Sequence, residues 1–139
     1  MQRAFWATLV LAAAVSVAGC DNELDNTPDP EPPPTTTETF NGTINVNGAA
    51  VHVVTISAAG TMTATLTEVT PDNTIAVGFA LGIWNSTTSV CQHVIPNDNA
   101  LQGQILNGNV SGPGQVCARI YDTGKLTGAL NYAISITHP

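Results

Sequence analysis

A hydrolytic centre needs a nucleophile beside a base, or two carboxylates sharing one substrate bond. Few residues here could supply either. The histidines are His52, His93 and His138, and the acids of the segment 40–139 are Glu68, Asp72, Asp98 and Asp122, each single and near a turn signal. His52 shares parity with Val54 and Ile56, while His138, next to last, is expected to be mobile. No serine sits in a Gly-x-Ser-x-Gly elbow. Lone turn carboxylates ordinarily cap their own loops, so the sequence predicts no enzyme and no cofactor. Thr70-Pro71-Asp72-Asn73 and Pro96-Asn97-Asp98-Asn99 are oxygen-rich stretches that make Asp72 and Asp98 calcium candidates. They are weak ones, because calcium takes about six to eight oxygens and each stretch holds one carboxylate. Trp84 and Tyr121 are candidates for a ligand-binding platform, since sugar faces stack on aromatic rings; core packing is the commoner role for such residues.

Charge narrows the partners. The chain of 139 residues carries a formal charge of −7, from ten acids against Arg3, Arg119 and Lys125. No basic patch exists to neutralise phosphates, which excludes nucleic acid as a partner class. Six of the acids fall within 21–39, whereas 40–139 is near neutral at −2. The acidity belongs to a tail, and about 100 residues remain for one core.

The start of the chain reads as an address. Arg3 precedes an apolar run, Ala4 to Ala18, that is shorter than the roughly 20 residues a membrane span needs. It ends in Val17-Ala18-Gly19-Cys20, which resembles the bacterial lipobox. That resemblance implies a lipoprotein signal peptide over 1–19, cleavage before Cys20, and acylation of its sulfur with diacylglycerol, with chains such as palmitate. Each buried methylene then contributes roughly 0.8 kcal/mol to membrane anchoring. The expected location is outside the cytoplasm, on a bacterial membrane at its periplasmic face or at the cell surface. Residues 20–39 read as a disordered linker, with Pro28, Pro30, Pro32, Pro33 and Pro34 among acids and threonines. Extended polyproline geometry gives such a tether a reach of up to about 60 Å.

With Cys20 assigned to lipid, Cys91 and Cys117 remain, in an exported chain where disulfides persist. One pairing is possible, and it closes a loop whose constraint stabilises by about 3–4 kcal/mol. His93 is near Cys91, but no ligand spacing for zinc follows.

The elements that must position these residues alternate with period two. Met62, Ala64 and Leu66 interleave with Thr61, Thr63, Thr65 and Thr67; Tyr132, Ile134 and Ile136 with Ala133, Ser135 and Thr137; Val116, Ala118 and Ile120 with Cys117, Arg119 and Tyr121. Over 75–84 one parity is large (Val77, Phe79, Leu81) and the other small (Gly78, Ala80, Gly82), as in a central strand buried on both sides. Strands are expected at 40–46, 50–57, 61–69, 75–84, 88–95, 100–106, 115–122 and 130–137. The fold class is all-β: an antiparallel β-sandwich of jelly-roll type with about eight strands over 40–139.

Phe40-x-Gly42, Gly60-Thr61-Met62, Gly112-Pro113-Gly114 running into Val116–Asp122, and Asn131-Tyr132-Ala133-Ile134-Ser135-Ile136 together resemble the bacterial pre-peptidase C-terminal domain family. The resemblance implies an accessory sandwich that accompanies exported enzymes and aids binding, targeting or secretion, with no catalytic residues to carry over. The expectation is a lipid-anchored, non-catalytic β-sandwich displaying a binding or structural surface in the envelope, to a protein or glycan partner. The alternative is a carbohydrate-binding module at the cell surface, resting on Trp84 and the threonine-rich face.

Overall fold

Threonine alternating with apolar residues builds a strand with one wet and one dry face, and the computed structural model, which describes residues 28–139, is made of such strands. They are β1 (Thr36–Ile44), β2 (Ala49–Ile56), β3 (Gly60–Thr70), β4 (Val77–Asn85), β5 (Val90–Ala100), β6 (Ile105–Val110), β7 (Gly114–Tyr121) and β8 (Leu130–His138). Two antiparallel four-stranded sheets result, ordered β1-β8-β3-β6 and β2-β7-β4-β5. First pairs with last, second with seventh, third with sixth and fourth with fifth, the nested pairing of a jelly roll. The unit Glu31–Pro139 contains all eight strands.

Between the sheets lie Val54, Ile56, Met62, Leu66, Phe79, Ile120, Ile134 and Ile136, all at most 3% exposed. The inward parities of β3, β7 and β8 are those read from the sequence. β4 sits between β7 and β5, and Val77–Gly82 is buried on both faces. The threonines of the first sheet form its outer face, where Thr61 donates to Asn109 (3.2 Å), Thr63 to Asn107 (3.0 Å) and Thr43 to Asn131 (2.6 Å).

Several boundaries differ from expectation, each for a physical reason. β1 begins at Thr36, four residues inside the stretch read as linker: beyond Pro34 the β-branched Thr36, Thr37 and Thr39 extend and pair with the end of β8, with Thr36 opposite His138. Asn41-Gly42, a pair common in hairpin turns, lies mid-strand, where Gly42 lets the Tyr132 ring lie against the backbone. Pro96-Asn97-Asp98-Asn99 is no loop either. β5 is an edge strand and runs through it, since an edge tolerates a proline whose missing N–H faces solvent. Two register shifts against β4, between Val77 and Phe79 and between Leu81 and Gly82, absorb the extra residues of β5. β6 correspondingly starts at Ile105 and includes Asn107-Gly108-Asn109. His138 is fixed, not mobile: it ends β8, is 5% exposed, and its Nε2 lies 3.0 Å from Glu38 on β1. The stretch 1–19 read as a signal peptide, Cys20 and the first part of the expected linker lie outside the described residues.

Candidate functional site

The outer face of the β2-β7-β4-β5 sheet collects most of the chemistry-bearing side chains. β7 sends Val116, Ala118 and Ile120 into the core and so must send Cys117, Arg119 and Tyr121 outward. Beneath them β4 presents Gly78, Ala80 and Gly82, paired with Tyr121, Arg119 and Cys117 respectively. This small-residue floor has a use at each end. The Tyr121 ring lies flat on Gly78, so that a Cβ there would collide with it. At Gly82 the backbone of Gln92 comes over the strand, bringing Cys91 within 5.8 Å, Cα to Cα, of Cys117. The two cysteines form a disulfide that crosses above β4 within one sheet, although β5 and β7 are not neighbours. The bridge joins strands that are not neighbours because a glycine leaves the intervening strand low enough to be spanned.

Around Tyr121 the contacts are dense. His93 of β5 stacks on its ring at 5.6 Å between centroids and 19° between planes. The Arg119 guanidinium stands 5.3 Å from the ring centroid, and its Nη1 is 3.4 Å from His93 Nε2. The phenol donates a hydrogen bond to Asp98 on β5. Partial burial, reinforced by the bond to that carboxylate, pushes the Tyr121 hydroxyl up to about 12, so it stays a donor across physiological pH. Lys125 reaches Asn99, next to Asp98. The two cations of the segment 40–139 thus flank one patch, and neither meets a carboxylate among the described residues.

The calcium candidates are otherwise engaged. Asp72 closes its own turn, accepting from the Thr74 backbone (2.8 Å) and hydroxyl (2.7 Å), and these bonds, the hydroxyl's first, lower its pKa. Asp98 serves Tyr121 from within a strand. No group of three His, Cys, Asp or Glu side chains among the described residues is placed to hold a metal ion. Trp84 is half-buried in β4 opposite Cys91, while Tyr121 lies opposite Gly78. Six residues of β4 separate the two positions, about 20 Å of strand, so they make no common platform. The threonine-rich face lies on the other sheet.

The remaining histidine is half-buried at the edge of the core. His52 points between the sheets, stacked on Phe40 at 4.7 Å, with Nε2 2.8 Å from the Tyr132 hydroxyl. Burial lowers its pKa. The histidine side chains meet Tyr132, Arg119 and Glu38, and none is hydrogen-bonded to a serine, threonine or cysteine among the described residues. Sequence reasoning missed His93 and Arg119 as parts of the patch. The available signal was that Arg119 and Tyr121 share the parity of Cys117, which a bridge to Cys91 ties to the strand bearing His93.

No family model matches the chain, and no curated protein sequence does. Among solved structures it is similar to the crystal structure of Aeromonas hydrophila PliG, a periplasmic lysozyme inhibitor of g-type lysozyme. The TM-score is 0.50 and the identity 11%, covering 72% of this chain and 83% of that one. The likeness is one of fold. Both chains are β-sandwiches, and nothing in the residues is carried across at this identity.

Proposed function

We propose that this protein is a lipid-anchored, non-catalytic β-sandwich of the bacterial envelope that binds a partner through the outer face of its β2-β7-β4-β5 sheet. The carrying observation is the patch around Tyr121: His93, Arg119 and Asp98 are held against it on a sheet whose floor is reduced to glycine and alanine. The ring pair and the uncompensated cation offer an aromatic face and a positive charge to a ligand at one place. The lipobox-like Val17-Ala18-Gly19-Cys20 and the acidic proline-rich stretch after it supply the anchor and the reach. The fold neighbour's periplasmic setting and the Cys91–Cys117 pair support export. An accessory role beside an exported enzyme, as the pre-peptidase C-terminal resemblance implies, fits the same surface.

Anchoring is tested by mass spectrometry of the mature protein. The expected form begins at Cys20 and carries diacylglycerol, and Cys20→Ser leaves an unprocessed, unacylated precursor. A water-soluble mature form cleaved elsewhere contradicts the anchor. For the surface, full-length protein and a Tyr121→Ala variant are used to capture partners from the native envelope, with g-type lysozyme as the first protein to assay because the fold neighbour inhibits it. Capture independent of Tyr121 contradicts the proposed face. The second reading, a carbohydrate-binding module, is favoured by the Tyr121–His93 ring pair; a glycan array with the same variant decides for or against it.

A further inference from the structure

Beside the Tyr121 patch lies a cavity that no role described above requires. The β4–β5 hairpin ends at Ser89, whose φ of +53° turns the chain, and the Cys91–Cys117 bridge ties the start of β5 to β7. Between this hairpin end and the start of β2 a space of about 280 Å³ remains, lined by Ala49, Val51, Ser89, Val90, Cys91 and Arg119, with Ala50 completing it. That is near the lower end of the roughly 300–1,000 Å³ of small-ligand pockets, room for about one sugar ring. Arg119 is the one charged residue in the lining. Its Nε is buried and has no hydrogen-bond partner, and it makes no ion pair among the described residues. The guanidinium as a whole is half-exposed beside the cavity and carries a charge that no carboxylate meets, and the strongest match to a planar cation is a carboxylate.

We propose that this cavity is a binding site for an acidic saccharide, whose ring carboxylate pairs with Arg119. Val51 and Val90 offer apolar walls to the C–H face of a pyranose. On the other side of Arg119, the Tyr121 and His93 rings continue the surface for a second sugar, with Asp98 and Asn99 beside them as hydroxyl partners. A chain that carries −7 overall thereby places its scarce positive charge where a polyanion can be read one residue at a time. The inference rests on the outer face being the binding surface and adds the chemistry of what it binds.

The test is titration calorimetry of the full-length chain in detergent micelles with a tetramer of galacturonic acid, a neutral tetramer of glucose, and acetate. The acidic tetramer is expected to bind at least about tenfold more tightly than the neutral one, and Arg119→Gln to lose about tenfold, the loss of one charge-assisted pair. Val51→Trp, which fills the cavity and leaves Arg119 in place, is expected to lose as much. Unchanged melting of both variants confirms that each is folded; should Arg119→Gln not fold, Val51→Trp carries the test. Equal affinity for the two tetramers, binding indifferent to both substitutions, or no binding of the acidic tetramer overturns the proposal. Acetate binding as tightly as the tetramer overturns the saccharide and leaves a bare anion site. In each of those cases capture of an envelope protein through Tyr121 still stands or falls separately.

Discussion

Cys91 and Cys117 stand 5.8 Å apart, Cα to Cα, although strand β4 runs between the strands that bear them. The bridge therefore does two things at once. It closes a loop with a sequence separation of 26, and it holds the end of the β4–β5 hairpin against the face that carries Arg119 and Tyr121. Opening it by reduction is expected to cost about 3–4 kcal/mol through the freed unfolded chain. For a domain of this size that lowers the melting midpoint by several degrees to more than ten. Differential scanning calorimetry with and without reductant reads the shift, and far-UV circular dichroism at room temperature should keep its strand signal.

Gly82 makes that crossing possible, so it should be among the least replaceable residues of the sheet. A Cβ there would collide with the Gln92 backbone and crowd the Cys91 sulfur at 3.2 Å. Gly82→Ala is expected to destabilise by about 1–3 kcal/mol, the ordinary cost of overpacking a site that cannot expand. Gly112→Ala, with open space around it, serves as the comparison and should lie within about 0.5 kcal/mol of wild type. Chemical denaturation of the two variants measures the contrast.

His52 predicts how stability varies with pH. Burial lowers its pKa in the folded protein below the ordinary 6.5. As pH falls, the unfolded chain takes up the proton first, so this contribution to stability is fully present above about pH 6.5 and declines below it. His52→Phe removes the titration. The stability difference between wild type and this variant should shrink between pH 7.5 and 5.5. Tyr132→Phe keeps the imidazole but removes the partner of its Nε2, at an expected cost of about 1–2 kcal/mol.

Asp122 organises the loop after β7. It accepts from the backbone of Asn47 (2.8 Å), Leu126 (3.1 Å), Lys125 (2.9 Å) and Gly124 (2.8 Å), and these bonds, Asn47's first, lower its pKa. Its contribution is present above the usual aspartate pKa and lost as pH falls through the lower folded value. Asp122→Ala should lower the melting midpoint and speed amide exchange at Asn47 and over 124–126; a variant that melts and exchanges like wild type contradicts this role.

The sequence makes the sandwich legible because binary alternation is a long-range statement about the core: each of β3, β7 and β8 needs one dry face, and the apolar parity names it. It was silent where tertiary pairing overrides local turn chemistry. Pro96-Asn97-Asp98-Asn99 has the composition of a loop, yet β4 offers backbone partners and an edge position forgives the proline. Thr36–Thr39 was hidden by its proline neighbours until β8 supplied a partner. The candidate site was half legible. Tyr121 was singled out, but its companions come from β5, whose register depends on two shifts that no periodicity encodes. Trp84 was paired with it by residue type alone, and the register sets them far apart.

The outer face of the β2-β7-β4-β5 sheet is the proposed meeting place with a partner in the envelope. Hydrogen–deuterium exchange of the full-length protein, with and without its native envelope fraction, addresses this whether the partner is protein or glycan. Slowed exchange is expected in peptides covering Ser89–Ala100 and Gln115–Asp122, and is expected to be lost in Tyr121→Ala. Slowed exchange confined to β1, β3, β6 and β8, or no change on either sheet, would contradict it.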